Sequence, residues 1–187
     1  MKDKRTPAQF QRALKGGLIG ESKVAKWLIG RNWNVLPTYE TELSSGKAPR
    51  LFTGVGSIIS PDMMIFRDGR FKWVEAKTKS SFTWYRLSGT WQDGIDKVHW
   101  EEYLRVAEQT KVPLFIMFLH LGHKIAKDTP PGKIPPRGLY GANIEHLAKH
   151  IHHTSRSHGP TGMVYWNINT LTLIAEASEF EVADDEF

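Results

Sequence analysis

The segment "PDMMIFRDGRFKWVEAKTK", residues 61–79, contains two strand-like runs separated by an Asp-Gly dipeptide. Asp-Gly between such runs favours a two-residue type I′ turn, which joins two antiparallel strands in a fixed register. Counting outward from this turn, Asp62 faces Glu75, and both lie on the side of the hairpin that carries Trp73. The segment therefore predicts a hairpin whose apolar side ends in two opposed acids, with Lys77 on the same side.

Two opposed carboxylates need a compensating positive charge. With their Cβ atoms about 4.5–5.5 Å apart they repel each other, and burial beside Trp73 makes an unpaired charge costlier. A divalent cation with oxygen ligands, Mg²⁺ or Mn²⁺, would meet this need, and Lys77 adds a positive charge on the same side. The alternative is that Asp62 and Glu75 lie at a solvated end of the hairpin and pair with Lys72 or Lys77.

The first predicted helix, residues 7–29, carries a third acid. Glu21 falls in the middle of its apolar stripe, where a carboxylate is costly without a partner. Glu21 could bind the same metal directly or through water, or it could reach the edge of the stripe or meet a lysine. The stripe consists of Leu14, Leu18, Ala25 and Leu28.

The order of the predicted elements indicates an α/β protein. Helix 7–29 precedes a strand at 32–40, the hairpin, a helix at 95–110 and a buried strand at 112–121. This order predicts a mixed central sheet flanked by helices.

The other segments are expected to be loops or additions to this core. Residues 41–60 are rich in Gly and Ser and predict a flexible loop, and residues 80–94 predict a loop or a short extended piece. We expect a single domain over residues 1–187. Its predicted parts are the core at 7–122, an irregular Pro-rich loop at 128–138, a C-terminal extension at 139–178 with a helix (142–153) and a β-hairpin (162–178), and a solvated acidic tail at 179–187.

The composition favours a polyanionic partner. The net charge is +5, and because the last nine residues contribute five acids and no bases, residues 1–178 carry +10. Neutralisation of phosphates supplies the sequence-independent part of nucleic-acid affinity. The chain has no Cys, which excludes disulfides and thiolate metal sites. It shows neither a secretion signal nor a run of membrane-spanning length, so we expect a cytoplasmic protein.

These residues resemble the PD-(D/E)XK phosphodiesterase superfamily, which includes type II restriction enzymes, archaeal Holliday junction resolvases and lambda-type exonucleases. The "PD" is Pro61 and Asp62, and the "ExK" is Glu75 to Lys77. The resemblance covers about two-thirds of the chain. It implies a restriction-endonuclease-like core of a helix, a three-stranded β meander, a helix and a strand. The compact form also resembles stand-alone nucleases of phages or mobile elements, which implies a bacterial or phage-infected cell.

The resemblance also implies residue roles. Asp62, Glu75 and Lys77 are expected to be catalytic, and Mg²⁺, with Mn²⁺ able to substitute, to be held by Glu21, Asp62, Glu75 and the Ala76 carbonyl. His99 and Tyr103 have the spacing of a Gln-x-x-x-Tyr element of some members, with His in place of Gln, and are expected to contact nucleic acid. The relatives further suggest a homodimer and products that end in 5′-phosphate and 3′-hydroxyl.

Basic and aromatic residues outside this motif are candidates for further DNA contacts. Lys79 and Arg86 are expected to meet phosphates, and Lys47 and Arg50 to contribute contacts from the 41–60 loop. Trp84, Tyr85 and Trp91 are expected either to stack on bases or to cover the core. The histidines His146, His150 and His153 raise a zinc hypothesis, against which stands a polar helix face or phosphate binding helped by Arg156.

Three functions are compatible with these patterns. The first is a divalent-metal-dependent endonuclease that cleaves branched or otherwise structured DNA. The second is a nucleic-acid-binding accessory protein that keeps the fold without turnover. The third is a sequence-specific restriction or homing endonuclease.

Overall fold

The computed structural model describes residues 7–38, 49–54, 56–122, 124–125, 128–159 and 161–181. Within these residues the chain forms a mixed α/β structure of helices packed on β-sheets. The helices are α1 (Pro7–Ile29), α2 (Lys97–Thr110), α3 (Ile144–Lys149) and α4 (Ser178–Glu181). The strands are β1 (Asn34–Pro37), β2 (Arg50–Thr53), β3 (Gly56–Ile59), β4 (Met63–Arg67), β5 (Arg70–Lys79), β6 (Thr83–Tyr85), β7 (Thr90–Asp96), β8 (Leu114–His120), β9 (Gly138–Asn143), β10 (His153–Ser155), β11 (Met163–Asn167) and β12 (Thr172–Ala175).

The central sheet has six strands in the order β1-β4-β5-β8-β9-β12. Strands β1, β4 and β5 form an antiparallel meander, and β8 pairs parallel to β5 after the crossover through α2. The predicted helix, meander, helix and strand are therefore confirmed. The predicted C-terminal extension contributes β9 and β12 to the same sheet.

The turn between β4 and β5 has the predicted geometry. Asp68 and Gly69 have φ values of 52° and 71°, as the type I′ turn requires. Arg67 pairs with Arg70, and the register continues without a shift to Met63 and Val74. The next pair outward is Asp62 and Glu75.

Helices cover both faces of the central sheet. On one face α1 buries Val24 and Leu28 against β4, β5 and β8. On the other face α2 buries Tyr103 in a core that also contains Trp73 from β5. This second face carries the side chains of Glu75 and Lys77, because side chains alternate along β5.

Helix α1 lies close to β5 at a glycine. A Cβ atom added to Gly20 would lie 1.5 Å from Thr78 Oγ1, so only glycine fits there. The buried face of α1 runs through Gly20, Val24 and Leu28, in steps of four residues. The predicted stripe was wrong at Leu18, which is exposed. Glu21 therefore lies at the margin of the buried face rather than in its middle.

Several local predictions are corrected. Residues 50–53 and 56–59 form the paired strands β2 and β3 instead of a loop, because Ile58 packs into the core. Residues 95–96 belong to β7, so the helix begins at Lys97. The predicted helix at 142–153 is shorter: Asn143 caps its N-terminus with its side chain, α3 ends at Lys149, and β10 begins at His153. Residues 39–48, which include the end of the predicted strand at 32–40 and the start of the predicted loop at 41–60, lie outside the described residues.

The C-terminal hairpin and the first residues of the predicted solvated tail are also corrected, whereas residues 182–187 lie outside the described residues. Strands β11 and β12 do not pair, because β11 joins β7 and β10 in a second sheet while β12 joins β9. At the start of the acidic tail, Phe180 is buried and Glu179 binds Arg31. In the described part of the chain, no helix is long and apolar enough to span a membrane.

Candidate active site

Asp62 and Glu75 face each other at the end of the β4–β5 hairpin, as their register predicted. The backbone pairing of β4 with β5 ends at Met63 and Val74, and beyond this pair the hydrogen bonds between the two segments involve side chains. The Ala76 amide donates to Asp62 Oδ2 at 2.8 Å, and the Asp62 amide donates to Glu75 Oε2 at 3.2 Å. Each carboxylate is therefore fixed by the backbone of the opposite strand.

Glu75 is fully enclosed, with only 1% of its surface exposed. Its Oε1 accepts a hydrogen bond from the Tyr103 hydroxyl at 2.6 Å and contacts the Lys77 ammonium. The alternative of a solvated hairpin end is therefore wrong for Glu75, although its pairing with Lys77 is real. The Lys77 side chain, unlike that of Glu75, keeps 27% of its surface exposed.

The charges of this cluster shift one another's protonation. Burial, and then the negative charge of Glu75, raise the pKa of Asp62 well above its ordinary value of 3.8. For Lys77, burial acts to lower the pKa, but Glu75, Tyr103 and Asp62 together raise it well above 10.5. Lys77 is therefore protonated at neutral pH, and Asp62 releases its proton less readily than a solvated aspartate.

Glu21 belongs to the same electrostatic cluster. Burial raises the pKa of its half-buried carboxyl, and the charge of Glu75 raises it further, whereas Lys77 acts in the opposite direction. The negative charge of Glu21 in turn raises the pKa of Asp62. Helix α1 thus brings a third acid close to Asp62 and Glu75. The close approach of α1 to β5, where Gly20 lies against Thr78, makes this possible.

The oxygen atoms around Asp62 are of the type that binds a small hard cation. In an extended strand the amide and carbonyl of one residue point to the same side, so the Ala76 carbonyl faces Asp62 as its amide does. Two carboxylates and a backbone carbonyl are the oxygen ligands that Mg²⁺ and Mn²⁺ favour. Among the described residues, however, no three His, Asp or Glu side chains already converge on one point.

The residues predicted on α2 lie beside this site. His99 is half-buried, with its ring centroid 6.2 Å from that of Tyr103. Burial lowers the pKa of His99, and the charge of Lys77 lowers it further, so a neutral imidazole borders the site at neutral pH. Tyr103 is only 2% exposed, and its hydroxyl serves Glu75, so its position contradicts the predicted contact with nucleic acid.

Among the described residues, the other predicted DNA contacts are engaged within the protein. The Lys79 ammonium donates to the Gly94 carbonyl at 2.8 Å and lies 3.6 Å from Asp93, so a phosphate contact would require this pair to open. Arg86 is exposed and binds Asp128. Arg50 is exposed on the β2–β3 hairpin. Lys47 lies outside the described residues.

The predicted aromatic residues and histidines have different environments in the structure. Trp91 covers the core, whereas Tyr85 stacks on His153 with ring centroids 4.5 Å apart. His146 and His150 stack on each other, but His153 lies between Tyr85 and Tyr165 on the second sheet. The described histidines therefore offer no three-ligand zinc site.

The bond from Tyr103 to Glu75 was not foreseen. The sequence feature that could have indicated it is Tyr103 itself, which lies on the buried stripe of α2, the helix that packs over Glu75. We expect Tyr103→Phe to lower the free energy of unfolding by about 1.5–3 kcal/mol, because a buried carboxylate loses a hydrogen bond. Urea unfolding measures this loss. Tyr165→Phe is the control and should lose less stability, because it removes a part-buried hydrogen bond with His158 instead of one to a buried carboxylate. Unchanged stability would show that the bond contributes nothing.

No protein-family model matches the sequence, and no curated protein matches it. Two of the solved structures that are similar to the chain are Hjc, a Holliday junction resolvase from the archaeal hyperthermophile Archaeoglobus fulgidus, and D212, a nuclease from a fusselovirus. The first is 8% identical, with 82% of this chain and 90% of that chain covered and a TM-score of 0.47. The second is 12% identical, with 98% and 95% covered and a TM-score of 0.38.

The topology itself decides the architecture: a helix, an antiparallel meander, a second helix and a strand parallel to the last strand of the meander. The chain has the restriction-endonuclease-like fold. The described residues therefore contain the helix, three-stranded meander, helix and strand that the resemblance implied. At these identities and TM-scores the two solved structures carry no activity, substrate or residue role over to this chain.

Proposed function

We propose that this protein is a divalent-metal-dependent endonuclease that hydrolyses phosphodiester bonds in DNA, with a preference for branched or otherwise structured DNA. One observation carries the proposal: Asp62 and Glu75 are held face to face, and a protonated lysine contacts the buried one. A protein that needed only stability would gain little from this arrangement, because two adjacent acids repel and burial raises that cost.

In this proposal Asp62, Glu75 and the Ala76 carbonyl would hold the metal ion, with Glu21 joining directly or through water. The ion would supply a nucleophile at neutral pH and offset charge on the phosphate. Lys77, held by Glu75 at the boundary with solvent, would donate hydrogen bonds to the attacking water and to the phosphate oxygen that gains charge. Tyr103 would act as a positioning residue, because it holds Glu75 without reaching the surface.

The proposal includes the product ends, the assembly and the cellular setting that the resemblance implied. Products would end in 5′-phosphate and 3′-hydroxyl, the active form would be a homodimer, and the protein would work in the cytoplasm of a bacterial or phage-infected cell. The positive net charge agrees with a DNA substrate, since it favours association with any nucleic acid.

A substrate panel tests the proposal. The protein is incubated with plasmid, linear duplex, single-stranded DNA, RNA and four-way junctions in Mg²⁺, in Mn²⁺ or in EDTA. We expect cleavage of DNA with either metal and none in EDTA, and faster cleavage of junctions than of linear duplex. Substrates that shift on a gel but stay intact with metal would favour the accessory DNA-binding function instead, and a single sequence-defined cut in plasmid would favour a restriction or homing enzyme.

A further inference from the structure

The β2–β3 hairpin exposes an aromatic ring beside a cation. Phe52 is 76% exposed and faces Ser57 across the hairpin. Arg50 lies two residues away on the same strand and therefore on the same face. Its guanidinium donates to the Ser57 carbonyl at 2.7 Å and to Ser57 Oγ at 3.1 Å, so it is held across the hairpin next to the ring.

The base of this hairpin is fixed to the body of the protein. Ile58 is buried in the core that contains Tyr103. The Ile59 amide donates to Glu102 Oε2 on α2 at 3.0 Å, and the Ser60 amide donates to the Pro49 carbonyl at 2.9 Å. Glu102 and Tyr103 are neighbours on α2, so one helix holds both the hairpin and the buried acid of the candidate site.

The hairpin lies within DNA-binding reach of the acids. Strand β3 ends three residues before Asp62, and the five residue steps from Ser57 to Asp62 span at most about 17 Å at about 3.3 Å per step. Adding the strand separation of about 5 Å places Phe52 within about 22 Å of Asp62. This reach corresponds to about six base steps of B-form DNA at about 3.4 Å each.

A single exposed apolar side chain needs no explanation by itself. Here, however, the ring is carried on a fixed projection, a cation lies beside it, and the projection leads directly into Asp62. In an intact duplex both faces of each base are covered by stacking, so a protein ring reaches a base face only where the stack is opened or interrupted.

We propose that the β2–β3 hairpin binds the DNA substrate at a strand branch, where Phe52 stacks on an exposed base and Arg50 contacts a nearby phosphate. This inference rests on the proposed function and makes Phe52 a specificity-determining residue of the same site. DNA is the occupant that the charge favours, because the net charge of the chain is positive and the hairpin itself presents Arg50.

The experiment compares Phe52→Ala and Phe52→Trp with the parent protein. Leu87→Ala is the matched control, because Leu87 is also an exposed large apolar residue and lies on a different hairpin. Cleavage rates are measured on a four-way junction and on a linear duplex of the same sequence. Fluorescence of 2-aminopurine at the branch point is measured in EDTA, where it reports unstacking of the base by bound protein.

We expect Phe52→Ala to lower junction cleavage by about tenfold, in keeping with the loss of one base–aromatic stack. Linear duplex cleavage should stay within about twofold of the parent, because the acids are distant and unchanged. Phe52→Trp should restore junction cleavage. Phe52→Ala, but not Leu87→Ala, should also lose the change in 2-aminopurine fluorescence.

Equal rates for Phe52→Ala and the parent on the junction, or equal losses on both substrates, would overturn the proposal. A change in the sedimentation of the DNA-free protein in Phe52→Ala would also overturn it, since the hairpin would then join copies of the chain. A parent that cleaves nothing but still shows the Phe52-dependent fluorescence change would refute the nuclease while supporting the hairpin contact. A parent that neither cleaves nor binds would refute both.

Discussion

Asp62→Asn is expected to abolish DNA cleavage and to leave the folded protein at least as stable as the parent. The substitution removes a proposed metal ligand, and the loss of several kcal/mol of transition-state stabilisation corresponds to a rate decrease of about a thousandfold or more. The asparagine oxygen can still accept the hydrogen bond from the Ala76 amide. Its amide group then faces Glu75 in place of a second negative charge.

The stability gain should depend on pH with a definite sign. Because the folded state raises the pKa of Asp62, its stabilising contribution is complete below the ordinary value of 3.8 and is lost as pH rises through the folded value. The parent should therefore lose more stability than Asp62→Asn between mildly acidic and neutral pH. Urea unfolding in EDTA at both pH values measures this difference without bound metal.

Asp68→Asn provides the control on the same hairpin. Asp68 lies in the exposed turn, and asparagine tolerates its positive φ, so cleavage and stability should match the parent. Two results would contradict the prediction for Asp62. One is cleavage by Asp62→Asn within about tenfold of the parent, since a lost ligand costs more than about 1.4 kcal/mol. The other is a clear decrease in its stability at neutral pH.

The core of the site could be predicted because its determinants are local. The Asp-Gly turn specifies its own backbone geometry, and strand alternation then determines which residues face each other. Asp62 and Glu75 are thirteen positions apart in the sequence, yet their pairing follows from counting along one hairpin. The crossover from β5 through α2 to β8 also follows from the order of the elements.

The parts that could not be predicted depend on distant partners. Strands β11 and β12 are separated by four residues, three of them in a 3-10 helix, but the two strands pair within different sheets. The β2–β3 hairpin was missed because its glycines and serines indicate a loop, whereas the burial of Ile58 against α2 favours strand pairing. The hydrogen bond from Tyr103 to Glu75 depends on how α2 crosses the sheet, which no local pattern specifies.

Lys77→Met is expected to abolish cleavage as well, but with the opposite effect on stability. Removing a donor that stabilises developing charge costs about a hundred- to a thousandfold in rate. The substitution also leaves Glu75 buried without its cation. Breaking a buried ion pair costs about 3–5 kcal/mol, and because Tyr103 and the Asp62 amide still bind Glu75, we expect the lower end of that range.

Lys97→Met is the matched control, because it removes the same charge from an exposed pair with Glu101, and such surface pairs contribute about 0–1 kcal/mol. Urea unfolding and junction cleavage are measured for both variants.

Since Asp62→Asn and Lys77→Met both remove activity, activity alone cannot separate a repelling pair of acids from a general loss of structure. Opposite changes in stability can separate them. A site in which two acids repel each other and a lysine neutralises one of them predicts a gain in stability for Asp62→Asn and a loss for Lys77→Met, whereas a general loss of structure does not. Losses of equal size in both would refute that arrangement of charges.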